Sequence, residues 1–258
     1  MENLKWPDDY INRVINADCL LAMKEIPDKS IDMVLCDLPY GTTACSWDIV
    51  IPFEPLWEIY KRVIKDNGAI VLTASQPFTS KLIMSNIDMF RYEWIWEKSK
   101  GTGFMNSKKM PMKYHENILV FYKKLPTYNP QGLIKGKFNN SRNNFKNNNI
   151  YTGSGIQKNP KNTVSEYTNY PKSILKIENP SGKGMLHPTQ KPIALFEYFI
   201  KTYTNPDNLV LDNCFGSGTT GIACLNVGRQ FIGIELDKKY CKIAEARIKN
   251  ETKQGELI

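Results

Sequence analysis

Histidine is nearly absent: only His115 and His187 occur among the 258 residues. Neither belongs to an HExxH pair or to an HxE with a PCxxC, and no GxSxG occurs. The chain therefore lacks the signatures of zinc proteases, zinc deaminases and serine hydrolases. His115 heads an apolar stretch, HENILVFY, and reads as structural; His187 precedes a proline in a loop. The six cysteines, Cys19, Cys36, Cys45, Cys214, Cys224 and Cys241, form no CxxC pair. That spacing excludes a zinc module and a disulfide framework, and it suits a reducing cytoplasm. No Pro-Cys dipeptide is present, which removes the usual thiol nucleophile for attack on a cytosine ring. No apolar run approaches the roughly 20 residues that cross a bilayer. The opening MENLKWPDDY has no apolar signal core, so the expectation is a cytoplasmic protein with no membrane partner.

Acidic charge is scarce in one place. Residues 98–183 contain 16 Lys and Arg against 3 Asp and Glu, a local net of +13, whereas the remainder holds 18 against 23, a net of −5. Such asymmetry predicts that a polyanion meets one face of the molecule. With 41% hydrophobic and 23% charged residues, the chain is long enough for one large folded α/β domain with an insertion.

The apolar runs have α/β rhythm. Arg13–Asn16, Ile31–Asp37 and Ala69–Ala74 are short and apolar with little alternation, as expected of parallel strands buried on both faces. Leu56, Trp57, Tyr60, Val63 and Ile64 recur at helical steps, with Asn67-Gly68 as the expected stop. A second helix is expected from Pro77, then strands at Tyr92–Glu97 and Asn117–Tyr122. From Tyr128 to Tyr170 there are eleven asparagines among lysines and tyrosines with poor periodicity, a composition suited to base edges, phosphates and base stacking. Order returns with HPTQKP at 187–192 and an amphipathic helix from Ile193. A strand at 209–212, a glycine loop, a helix ending near Gly228, a strand over 231–237 and a helix from about Lys238 complete the pattern.

Two strand exits carry the chemistry. The first is Asp37-Leu38-Pro39-Tyr40, where a buried strand delivers a carboxylate, a rigid proline and an aromatic ring together. The second is the strand–loop–helix at 209–226. Gly216 and Gly218 let backbone approach a ligand there, and Thr219 opens a helix whose free amides favour an anion. Glu235 ends the next strand, where a carboxylate can accept from a ribose diol. The loop reads FGSG rather than GxGxxG, and no GK[ST] follows, so a ligand without a pyrophosphate, such as S-adenosylmethionine, fits best.

In this order, Asp37-Leu38-Pro39-Tyr40, HPTQKP and FGSG with Glu235 resemble the amino-methylating DNA methyltransferases of the permuted β group. The resemblance covers the ordered parts of the chain. It implies a Rossmann-like S-adenosylmethionine-dependent methyltransferase fold, a mostly parallel sheet with helices on both faces, plus an irregular target-recognition insertion. Residues 1–97 and 184–258 would form the catalytic and cofactor core. Residues 98–183 would hold the last core strands, at about 115–123, and a basic recognition region at about 124–183.

Carried onto this sequence, Asp212, Phe215, Gly216 and Gly218 would line the methionine and adenosine portions of the cofactor. Glu235 would hold the ribose, Asp18 the adenine amino group, and Thr189 with Lys191 the cofactor carboxylate. Asp37 and the Leu38 carbonyl would accept both hydrogens of an exocyclic amine, Pro39 would stiffen the loop, and Tyr40 would stack on a base flipped from double-stranded DNA. Leu38 stands where the family usually has proline. An acidic first residue goes with adenine N6, with a cytosine-N4 enzyme as the alternative and an inactive DNA-binding protein as the reading from another class. A homodimer and a restriction endonuclease partner follow from family analogy alone.

Overall fold

The computed structural model of the chain describes residues 4–43, 45, 48–140, 163–179 and 190–255. Thr189, His187, Trp47 and most of the asparagine-rich stretch lie outside the described residues. The chain divides into two compact units, residues 1–129 with 173–258, and residues 130–172.

The larger unit is built on one eight-stranded sheet. Its strands are β1 (Arg13–Asn16), β2 (Ile31–Cys36), β3 (Ile64–Ala74), β4 (Phe90–Thr102) and β5 (Lys113–Phe121). The smaller unit holds β6 (Ile134–Asn140) and β7 (Thr163–Thr168), an antiparallel pair. The large sheet is completed by β8 (Ile174–Ile177), β9 (Leu209–Asp212) and β10 (Gln230–Glu235) in the order β1-β10-β9-β2-β3-β5-β4-β8. All neighbours run parallel except β5, which is antiparallel to both β3 and β4. The strand β8 lies within the stretch expected to be wholly insertion, so the sheet takes back part of 124–183.

Side chains that alternate along each strand enter two separate cores. On one face Val34, Cys36, Ile70, Leu72, Leu211 and Ile232 pack with α1 (Cys19–Ala22), α2 (Phe53–Val63) and α3 (Phe78–Ser85). On the other, Met33, Leu35, Val71, Val120, Val210 and Phe231 pack with α4 (Ile193–Tyr203), α5 (Thr219–Asn226) and Ala244 of α6 (Lys238–Gly255). Burial on both faces is why β2, β9 and β10 read as continuous apolar runs.

Strands β4 and β5 start earlier than the sequence pattern suggests, and other element ends are also displaced. The helix α2 ends at Val63 and passes straight into β3, so Asn67-Gly68 lies inside a strand and is no helix stop. A Cβ on Gly68 would sit 2.7 Å from the Asp32 carbonyl, so this glycine serves close approach of β2 where the pairing shifts register between Ile31 and Met33. Pro77 precedes α3 as its N-cap, and β10 ends at Glu235, leaving Leu236 and Asp237 in the following loop.

The packing of β10 is tight at Gly233, where a Cβ would meet the Phe215 ring at 2.6 Å near its base. Gly233→Ala should lower the unfolding free energy by about 1–3 kcal/mol, the usual cost of overpacking. Urea denaturation measures this directly.

Candidate active site

The central strands β2 and β9 pair side by side, Met33 with Val210 and Val34 with Leu211. From β2 the order of strands proceeds outward through β3; from β9 it proceeds the other way through β10. Their carboxyl ends therefore flank the point where strand order reverses, the standard crevice of an open α/β sheet. Asp37 follows β2 and Cys214-Phe215-Gly216 follows β9, and both segments line one cavity of about 940 Å³.

At the β2 end, Leu38 turns its side chain into the core, with 3% exposure, and so anchors the tetrapeptide in place of a proline ring. Asp37 Oδ1 accepts from the Thr73 hydroxyl, and the Tyr40 hydroxyl lies 2.9 Å from both Oδ1 and Thr73 Oγ1. The Tyr40 ring stacks on Phe78, centroids 5.1 Å apart at 28°. Tyr40 thus orients the carboxylate, a role the sequence did not suggest. The next loop is tied by Asp48, whose carboxylate accepts from the amides of Gly41, Thr42 and Thr43 at 2.8, 2.8 and 2.6 Å. Burial raises the Asp48 pKa, but these bonds outweigh it and leave it lowered.

Lys191 is placed at this end of the cavity, not at the glycine loop. Its ammonium bonds Asp37 Oδ2 at 2.6 Å and lies 3.4 Å from Glu116 Oε2. Glu116 in turn binds Lys98 at 3.0 Å. The result is a row of alternating charge, Lys98–Glu116–Lys191–Asp37, with the two lysine side chains only 5% and 8% exposed. Burial pushes the Lys191 pKa down, yet Asp37 and Glu116 raise it overall. Burial likewise pushes Glu116 up, and Lys191 and Lys98 bring it below the ordinary value. Lys98 and Glu116 were not picked out from sequence, because they lie on β4 and β5, far from Asp37 along the chain. Lys191, expected to seat a cofactor carboxylate, lines the cavity with its ammonium paired to Asp37 and Glu116.

At the β9 end the loop is braced from within. Glu235 accepts from the Gly216 amide at 2.7 Å and the Asp237 amide at 2.8 Å. Buried Asp212 accepts from the Thr220 hydroxyl and from the Cys214 amide. Phe215, expected to line the cofactor, lies on the cavity wall, is 3% exposed and stacks on Phe231. Its ring fills the gap left by Gly221 and Gly233, whose missing Cβ atoms would meet it at 2.7 and 2.6 Å. Asp18 lines the cavity while one oxygen caps α1 through the Leu21 amide at 3.1 Å. Gly218, at φ +84°, is the N-cap of α5, and Thr219 follows it, buried.

Gly216 has φ +53° and nothing within 4 Å of a built Cβ, so its backbone borders open cavity beside a carboxylate. Burial, with the Asp237 charge, raises the Glu235 pKa, and backbone bonds from Asp237, Gly216 and Leu236 only partly offset this. A ligand diol that donates to this carboxylate would fit. Glycine cradle, strand-end acid and adjoining apolar cavity suit an adenosine-bearing sulfonium, which Asp18, Gly216 and Glu235 on the cavity wall could hold. The fold and site define an S-adenosylmethionine-dependent methyltransferase.

Comparison with known proteins narrows the class. The family model of the N6/N4 DNA methylases matches residues 31–246. The type II methyltransferase M.HpaI of Haemophilus parainfluenzae is 31% identical over 256 residues, covering 93% of this chain and 74% of that protein. The DNA adenine methyltransferase YhdJ of Escherichia coli strain K12 is 30% identical over 254 residues, covering 91% and 82%. The solved M1.HpyAVI–SAM complex matches with a TM-score of 0.61 at 26% identity, covering 91% of this chain and 98% of that one. The chain belongs to the DNA methylase family. No described helix is long and apolar enough to cross a membrane.

Removing Lys191 would take the counter-charge from half-buried Asp37 and leave half-buried Glu116 with Lys98 alone. Lys191→Met should cost about 3–5 kcal/mol of stability, whereas Lys29→Met, in a solvent-exposed pair with Asp66, should leave the denaturation midpoint nearly unchanged. Chemical denaturation of the two variants checks this. Asp212 offers a pH test, since burial lifts its pKa from 3.8 to about 7. The folded state then holds its proton more tightly than the unfolded chain. Its contribution to stability is full below the unfolded value and is lost as pH rises to about 7. The stability of wild type relative to Asp212→Asn should therefore fall across that range and level off above it, as read from urea midpoints.

Proposed function

We propose that this methylase transfers a methyl group from S-adenosylmethionine to the exocyclic N6 of an adenine flipped out of double-stranded DNA. The observation that carries the reading is a strand-end carboxylate, held by a buried lysine, sharing one cavity with a glycine cradle. The relatives support it, one of them being named a DNA adenine methyltransferase.

The cofactor supplies an activated methyl on a sulfonium; the chain must position and polarise the amine. Adenine's amino lone pair is delocalised into its ring and attacks poorly. Asp37 and the Leu38 carbonyl are the acceptors for the two amino hydrogens. A carboxylate oxygen takes about two donors. Oδ1 already meets the Thr73 and Tyr40 hydroxyls, while among the described residues Oδ2 accepts from Lys191 alone. The amine is therefore assigned to the remaining position on Oδ2. Acceptors fixed before the reaction favour the tetrahedral, positively charged nitrogen of the transition state without reorganising. Tyr40 and Thr73 set the carboxylate's angle, and Pro39 limits the loop between Asp37 and Tyr40. A base stacked on Tyr40 uses the face that Phe78 leaves uncovered. The basic, asparagine-rich region at about 124–183 is assigned to target recognition, with a sequence-neutral phosphate component. Action in the cytoplasm, a homodimer, and a restriction endonuclease of matching specificity are part of the same proposal; sedimentation velocity tests the dimer.

Modification-sensitive sequencing of DNA from cells expressing the chain should reveal N6-methyladenine at one short motif. Cytosine N4 modification would replace the adenine assignment. Asp37→Ala should lower methyl transfer by about 10²-fold or more, with cofactor binding preserved by calorimetry. Retained transfer would remove Asp37 from its assigned role.

A further inference from the structure

Between β4 and β5 stands a loop, residues 103–112, whose two roots, Thr102 and Lys113, pair with each other and line the active-site cavity. The loop is ordered by its own backbone. Asn106, Ser107, Lys109 and Met110 amides bond back to Gly103, Phe104 and Asn106 carbonyls at 2.8 to 3.0 Å. Despite this order its apolar side chains are given to solvent: Phe104 is 76% exposed, Met105 97% and Met110 57%. An ordered turn that buries none of its large apolar groups normally has a partner.

Charge identifies that partner's chemistry. From residue 98 to residue 115 there are five lysines and no acidic residue. Lys98 is used in the buried row, while Lys100, Lys108 and Lys109 are exposed around the apolar tip. A cationic rim around apolar side chains fits a polyanion with an accessible apolar interior, which is duplex DNA with a disturbed base stack.

Resting on the methylase reading above, we propose that this loop is a wedge that inserts Phe104 and Met105 into the stack beside the extruded base. Extrusion leaves a gap and costs stacking and pairing energy; an apolar filler offsets part of that cost. The loop is rooted at the cavity wall through Thr102 and Lys113, so its tip projects from the rim of the cavity that receives the base.

The test uses the full chain and a duplex containing the motif that wild type modifies, in two forms. In one the target base is correctly paired; in the other it is mispaired and already loosened. Both side chains are exposed, so Phe104→Ala with Met105→Ala should leave the melting temperature unchanged. The double variant should lose about tenfold or more in kcat/KM on the paired duplex and less than about threefold on the mispaired one. An equal loss on both, or no loss, overturns the wedge. Loss of self-association with unchanged kinetics also overturns it, assigning the patch to a second copy of the chain. A wild type that modifies neither duplex nor genomic DNA overturns the methylase reading itself, and with it the wedge.

Discussion

Two residue pairs, Met33 with Val210 and Val34 with Leu211, hold the molecule's function together. They join strands far apart in sequence as direct neighbours at the middle of the sheet. Parallel neighbours share one direction, so both chains leave the sheet on the same edge. Asp37 and the Cys214–Gly216 turn are consequently delivered to one crevice, and no other part of the fold has to bring them there. The junction is reinforced at its base, where Asp32 accepts from the Leu209 amide at 3.0 Å and pairs with Lys65.

Around that edge, each functional group is held by a different physical device. Asp37 is held by charge and hydroxyls: Lys191 on one oxygen, Thr73 and Tyr40 on the other. The loop after Tyr40 is held by three amides converging on Asp48. The glycine turn is held by Glu235 and Asp212, and by the Phe215 ring wedged under glycines of α5 and β10. Small residues and a large ring thus act as one packing unit, while the polar groups leave their remaining valences toward the cavity.

The row Lys98–Glu116–Lys191–Asp37 has a cost and a use. Four charges withdrawn from water are expensive individually, and alternation of sign makes the arrangement tolerable. Its effect is to couple β4, β5 and the segment before α4 to the strand end that bears the acid. A shift of any one of them would disturb the carboxylate, so the row ties catalytic geometry to the integrity of the sheet's antiparallel half.

The alternation of apolar runs, glycine turns and helical spacings was legible in the sequence because burial on two faces writes itself as short unbroken apolar strands. The strand-end acid, the glycine loop and Glu235 were legible for the same reason: each sits where an apolar run stops. What the sequence could not display is who meets whom across the sheet. Asn67-Gly68 looks like a helix stop and is a close-contact point of a strand, because the nearness of the Asp32 carbonyl depends on β2. Phe215 lines the cavity and is also core, because Gly233 and Gly221 make room for its ring only after β10 and α5 assemble. Lys191 lies in a loop before α4 in the sequence and becomes the counter-ion of Asp37, because Glu116 and Asp37 converge on it from separate strands. Local pattern determines elements and their ends; pairing between distant strands alone decides which charges and rings become neighbours.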